Sequence, residues 1–254
     1  MPDRLDVAAL RLAVPAEPLT AAAFAPFGDV IENPRPDVHP SQFAKAFGSS
    51  GAGYLHHPVS ANQGSAIKYQ RVSGLADRYA SGKAPSGMPS EPLASMFVCG
   101  ARTLLEGGRF PVTILERHPY TTQTFVPLSQ HSAADTRYLV IVAPTLPDAT
   151  RNNPPDVRGL RAFVARGDQA VTYGAATWHA PMAALGATGT SLPFFVFQFA
   201  NGVGPEDCEE VVLDSGAADA EGTSSVVVRV PSTVAASSPS SPSSSSSPGL
   251  WSKL

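Results

Sequence analysis

Between Phe110 and Leu213 the chain breaks into seven short runs of β-forming residues, "FPVTILERH", "QTFVPL", "YLVIVAP", "LRAFVA", "QAVTYG", "FFVFQFA" and "EEVVL", each bounded by Gly, Pro, Asp or Asn. Branched and aromatic side chains suit a pleated, half-buried surface, and the breakers turn the chain back before any run reaches helical length. Strands at this spacing pack as a sandwich or a barrel. The 25 prolines and 21 glycines favour turns over long helices. A chain of 254 residues with 43% hydrophobic content buries a sizeable core. The expected fold class is therefore mainly β with a few short helices.

Upstream, "LTAAAFAPFGDVIE" (19–32) reads as a short helix capped by Thr20, stopped by Pro26 and Gly28, and followed by strand-like Val30 and Ile31. Residues 33–58 dissolve into loop, and "SGKAPSGMPSEP" (81–92) has the composition of a surface insertion. Residues 1–215 are expected to form one domain. Residues 216–231 read as a linker with one further strand at "VVVRVP", and 232–254 as a disordered Ser/Pro-rich tail.

A net charge of −3 without Lys/Arg runs gives no electrostatic footprint for nucleic acid or an anionic membrane. No apolar run approaches the ~18 residues of a membrane span, and the N-terminus lacks a signal-peptide pattern. Cys99 and Cys208 have neither the number nor the spacing of a disulfide framework and read as buried thiols of a reducing compartment.

Two segments concentrate polar chemistry inside the strand pattern. In "ILERHPYTTQTFVPL", alternation puts Glu116 and His118 on one face of a strand and Arg117 on the other; past a kink at Pro119, Gln123 and Phe125 share a face. A carboxylate and an imidazole on one face suit a site, but taken alone the pattern favours a solvent-facing strand without function. In "GDQAVTYGAATWHAPM", a strand ending at Tyr173 passes through a Gly/Ala turn to Trp178 and His179. Here the alternatives are a site histidine or a tryptophan plug beside a histidine bonded to backbone. His56 and His57 are adjacent in a Pro/Gly loop, where neighbouring side chains diverge; His39 and His131 are also placed in loops.

Together these segments resemble the cupin pattern H-x-H-x-x-x-x-E followed by a later histidine, with Glu116, His118, Gln123 and His179 at the matching places. The resemblance implies a cupin-like β-barrel of the double-stranded β-helix type with a polar pocket in its mouth. Glu and Gln in place of a His and the Glu depart from the usual metal-binding set, yet the four side chains could hold Ni²⁺, Zn²⁺ or Mn²⁺. A narrower resemblance rests on five blocks in order: "LTAAAFAPFGDVIE", "ANQGSAIKYQRV", "LERHPYTTQTFVPL", "LRAFVARGDQAVTYGAATWHAPM" and "GPEDCEEVVL". This series is similar to the ureidoglycolate lyase family over most of residues 19–213.

The family's reaction splits (S)-ureidoglycolate into glyoxylate and urea in allantoin and purine breakdown. The reacting carbon carries a hydroxyl, a ureido nitrogen and a carboxylate, so loss of urea needs a base on the hydroxyl and an acid on the nitrogen, with no nucleophile. The resemblance implies Glu116, His118 and His179 as proton carriers with pKa values drawn towards neutrality. It implies Lys68 as the cation for the substrate carboxylate, with Arg117 as its rival, Asn62, Tyr69 and Gln123 as substrate contacts, and Tyr173 and Trp178 as pocket walls. Asp207 and Cys208 in "EDCEE" are assigned no chemistry. The competing readings are a metal-dependent cupin enzyme acting on another small hydroxy acid and a non-catalytic cupin-like binding protein. The family resemblance further implies a homodimer.

The last three residues, Ser252, Lys253 and Leu254, spell the address read by the peroxisomal import receptor. A flexible Ser/Pro tether would present it away from the domain. The expected location is therefore the peroxisomal matrix, after synthesis in the cytosol.

Overall fold

The structure is a computed structural model that describes residues 3–129, 136–216 and 224–231. The expectations for 232–254, including Ser252, Lys253 and Leu254, and for His131, lie outside the described residues. In chain order the elements are β1 (Asp3–Asp6), β2 (Leu12–Pro18), α1 (Ala21–Phe24), β3 (Gly28–Ile31), α2 (Phe43–Phe47), β4 (Val59–Ala61), β5 (Ala66–Lys68) and β6 (Glu91–Gly100). There follow β7 (Arg109–Pro111), β8 (Ile114–Arg117), β9 (Gln123–Pro127), β10 (Arg137–Ala143), β11 (Arg161–Arg166), β12 (Ala170–Tyr173) and β13 (Trp178–His179). The last are β14 (Ala183–Leu185), β15 (Ser191–Ala200), α3 (Gly204–Asp207), β16 (Glu209–Asp214) and β17 (Val226–Arg229). No helix among the described residues is long and apolar enough to cross a membrane.

The strands form a ten-stranded sheet in the order β1-β16-β8-β13-β10-β11-β2-β17-β7, with β14 also on β10, and a five-stranded sheet β3-β12-β9-β15-β6. All seven sequence runs are strands, and the expected extra strand at 226–231 is β17. The first run splits into β7 and β8, because Val112 turns to donate to the Val226 carbonyl while the Thr113 carbonyl accepts from Leu213. The two curled sheets enclose a half-barrel, the cupin-like β fold that the sequence implies.

The apolar run of β10 explains how the layers stack. Leu139, Ile141 and Ala143 pack into one core with Leu115, Ala162, Val164, Trp178, Val211 and Val226. Tyr138, Val140 and Val142 face the other way, into a second core with Phe125, Phe163, Val171, Tyr173, Phe194 and Val196, between the two sheets. A strand buried on both faces reads as continuous hydrophobicity rather than alternation, as "YLVIVA" does. The second core fills the closed part of the half-barrel.

Thr20 caps α1 as its spacing predicts, its Oγ1 accepting from the Ala23 amide at 3.2 Å. Gly28 follows with φ +150°, and a Cβ there would sit 1.9 Å from the Thr172 carbonyl oxygen, so only glycine lets β3 pair with β12 at this point. The stretch 33–58 is less irregular than expected: it contains α2, whose Phe43 and Phe47 are buried. The N-terminal strands β1 and β2, the hairpin β4-β5 and the edge strand β6 are absent from the sequence reading. They fall outside the stretch where the β runs crowd together.

Candidate active site

At the open end of the half-barrel, β8 and β13 lie side by side with Glu116 opposite His179 in register. β9 and β12 bring Gln123 opposite Tyr173 from the facing sheet. Alternation does the placing: Leu115 points into the first core while Glu116 points into the mouth, and in β13 Trp178 and His179 divide the same way. The structure thus brings together Glu116, His118, His179, Gln123 and Tyr173. The Tyr173 ring stacks on His179 at 4.0 Å and 12°, and the two imidazoles stand 5.5 Å apart.

Each of three polar side chains is held from behind. His118 Nδ1 lies 2.6 Å from the Asp207 carbonyl oxygen, and His179 Nδ1 lies 2.8 Å from that of Thr177. Gln123 Nε2 donates to Gln198 Oε1 at 2.7 Å. A carbonyl only accepts, so each Nδ1 carries hydrogen and each ring turns its Nε2 inward. The same logic turns Gln123 Oε1 inward. Among the described residues, His118 Nε2, His179 Nε2, Gln123 Oε1 and the Tyr173 hydroxyl are buried without a hydrogen-bond partner. Buried polar atoms left open in this way mark the place of a water, ion or ligand.

The electrostatics agree. Burial and then the neighbouring His179 push His118 down to about 4, against the Asp207 carbonyl, Glu116 and Gln123, so it is neutral and accepting near pH 7. Burial raises Glu116, but the hydrogen-bonding approach of His179 and the attraction of either imidazole when it is protonated outweigh it and leave the carboxyl below its ordinary value. Glu116 therefore moves away from neutrality, not towards it, because two imidazoles share its space. Tyr173 stays a phenol: burial raises it well above its ordinary value. Glu116 Oε1 stands 3.4 Å from His179 Nε2.

A cleft of about 960 Å³ adjoins the mouth, lined among others by Arg4, Arg151, Trp178, Cys208 and Glu210. The Cys208 sulfur, a Glu210 carboxylate oxygen and one from Glu116 lie within 4.8 Å of one another, joining cleft to mouth. Burial and then the nearby carboxylates raise the Cys208 thiol to about 12, so it is no nucleophile.

Five of the anticipated residues stand elsewhere. Trp178 faces the first core under the Arg117 guanidinium, 4.5 Å over its ring, and its Nε1 donates to the Asn153 carbonyl. Arg117 is likewise turned away from Glu116: it donates to Glu209 and to the Asn152 and Asn153 carbonyls. Asn62, Lys68 and Tyr69 belong to or follow the separate hairpin β4-β5. Lys68 and Asn62 are exposed there, and Tyr69 packs on Phe47. Among the described residues, none of the three contacts the mouth through a hydrogen bond or ion pair. The spacing "IKYQ" carries no information about this hairpin standing apart from the two main sheets.

Gln198 and Asp207 are additional residues of the site. Alternation in "FFVFQFA" places Gln198 on the inward face of Phe194 and Val196, which is a legible signal. Nothing local signals that the Asp207 carbonyl meets His118, 89 positions away.

The chain is thus a cupin-like half-barrel whose mouth holds a carboxylate, two imidazoles and an amide. A sequence model described as ureidoglycolate lyase matches residues 11–219. The chain is 38% identical over 199 residues to the ureidoglycolate lyase of Schizosaccharomyces pombe, covering 76% of this chain and 88% of that protein. It is 37% identical over 178 residues to the ureidoglycolate lyase of Saccharomyces cerevisiae, covering 68% and 79%. For the ureidoglycolate lyase of Burkholderia mallei the values are 36% over 170 residues, 67% and 74%. The chain belongs to the ureidoglycolate lyase family.

Proposed function

We propose that the chain is an enzyme that cleaves (S)-ureidoglycolate into glyoxylate and urea, in allantoin and purine catabolism, at the mouth formed by Glu116, His118, Gln123, Tyr173 and His179. The observation that carries this reading is the convergence of inward-facing acceptors on one buried space. Ureidoglycolate presents a hydroxyl and several N–H donors to such a surface. Ionised Glu116 takes the hydroxyl proton as the C–N bond breaks, the bonding pair leaves with nitrogen, and the same carboxyl returns the proton to that nitrogen. The hydroxyl oxygen becomes the carbonyl of glyoxylate, so the step balances without redox chemistry or a covalent intermediate. His118, His179 and Gln123 orient the donors, and Tyr173 walls the site.

The same donor set fits a divalent cation. Glu116, His118 and His179 offer ligand atoms within 4.8 Å of one another, and Gln123 Oε1 is an unpartnered fourth. Imidazole and carboxylate oxygen suit Ni²⁺, Zn²⁺ or Mn²⁺. When bound, such an ion would supply counter-charge for the substrate carboxylate.

The purified full chain should release urea and glyoxylate from the (S) substrate without ATP or nicotinamide. Ammonia and carbon dioxide in place of urea would convert the reading to a hydrolase. Chelation should abolish turnover and one divalent metal restore it; unchanged turnover after chelation would remove the ion from the proposal.

The ten-residue edge strand β6 exposes Leu93, Met96, Phe97 and Val98, beside Phe195. A long apolar edge of this kind pairs with another chain unless it is blocked, and a two-fold axis lets the same surface serve both partners. We propose a homodimer through this edge, so light scattering should give twice the chain mass. The peroxisomal proposal has its own test. A fluorescent protein carrying the last eighteen residues should be punctate and become diffuse without Ser252, Lys253 and Leu254; diffuse signal from the intact fusion would end it.

A further inference from the structure

The block "GPEDCEE" forms α3 and the start of β16, and α3 has only four residues. A single turn is not stable alone, so its place must come from side-chain anchors. Asp207 accepts from the Tyr79 hydroxyl at 2.6 Å, the Asn201 amide at 2.9 Å and the Gly202 amide at 2.8 Å. Glu206 accepts from the Ser86 amide at 2.6 Å, the Ser86 hydroxyl at 2.7 Å and Asn201 Nδ2 at 2.7 Å. Tyr79 is buried, and burial followed by its bond to Asp207 raises its phenol far above the ordinary value, so it remains a donor. The carbonyl of this anchored Asp207 receives the Nδ1 hydrogen of His118.

We propose that Tyr79 and Asp207 are positioning residues for His118: the hydroxyl fixes the Asp207 carboxylate, the carboxylate fixes the turn, and the turn's carbonyl fixes the ring with Nε2 facing Glu116 and Gln123. The chain of contacts runs from the loop at 71–80 through α3 to the mouth. Its two links are 2.6 Å each, and both Tyr79 and His118 are buried. The ring has no other partner for Nδ1 among the described residues. Without the carbonyl, either nitrogen could carry the hydrogen, and a ring with Nε2–H would present a donor where the mouth is otherwise lined by acceptors. The catalytic part of this proposal rests on the ureidoglycolate reading above; the tautomer part does not.

The test uses Tyr79→Phe in the full chain, with kcat and KM for ureidoglycolate and the side-chain ¹⁵N signals of His118 in substrate-free protein, assigned against His118→Asn. Loss of an outer partner of a site histidine typically costs about 10–100-fold. The expected result is a fall of about that size in kcat with KM changed by less than about two-fold, and His118 passing from one tautomer to a mixture. Unchanged kcat and unchanged His118 nitrogens, even with a lowered Tm, would make the pair structural and overturn the proposal. Asp207→Asn, which keeps volume but loses one charged acceptor, carries the same two readouts where Tyr79→Phe folds poorly. If the wild-type chain does not turn over ureidoglycolate, the functional reading fails while the nitrogen signals still decide this one.

Discussion

Glu116 and Arg117 are neighbours in sequence and opposites in function. Glu116 faces the mouth, while Arg117 is buried under the large sheet against Trp178 and paired with Glu209 at 2.6 Å. Removing one member of a buried pair leaves the other uncompensated. Arg117→Met should therefore cost roughly 2–4 kcal/mol by denaturant unfolding, towards the lower end because Glu209 is a quarter exposed. A loss below ~0.5 kcal/mol would show that the pair is not structural. Period-two alternation was enough to separate these two residues and to join Glu116 with His118. It gives Gln198 an inward face but not its partner Gln123, 75 positions away, and it gives no sign that the Asp207 carbonyl meets His118 across 89 positions. Nor could it place Lys68, whose expected role came from family resemblance rather than from any local rule.

At the scale of elements, strands were legible where side-chain chemistry was decisive and obscure where pairing was. "YLVIVA" and "FFVFQFA" are strands on hydrophobicity alone. β1 and β2 are held by parallel pairing with β16 and β11, and no local pattern records a distant partner. The anchoring of α3 has a pH dependence that can be signed. Burial raises the Glu206 carboxyl, but bonds from Ser86 and Asn201 outweigh it and leave it below its ordinary value. A lowered carboxyl contributes stability above its unfolded pKa and loses it as pH falls through the folded value. Hydrogen exchange, corrected for intrinsic rates, should show residues 201–208 opening below about pH 4.5 before β10 does; equal protection of both down to ~pH 3 would contradict this. The edge strand makes a second element-level prediction. Val98→Lys places charge on the exposed face of β6 and should shift the light-scattering mass to that of one chain, while an unchanged dimer would move the interface elsewhere.

At the scale of the whole molecule, two curled sheets enclose a core between them and leave a mouth in which His118, His179 and Gln123 are each oriented by a contact from behind. The fold class and the central carboxylate and imidazoles were legible because cupin-like spacing is local to two segments. The rim was not, because it is assembled from α3, β15 and the loop at 71–80. The most direct measurement is a coupled assay of urea and glyoxylate on the wild-type chain and on Glu116→Gln, which keeps the shape of the site and removes its base. The wild-type chain should give the two products in equal amounts, and the variant should be about 10²–10⁴-fold slower with an unchanged fold. Equal rates for the two proteins, or wild-type urea without matching glyoxylate, would contradict the assignment of this mouth as a ureidoglycolate-cleaving site.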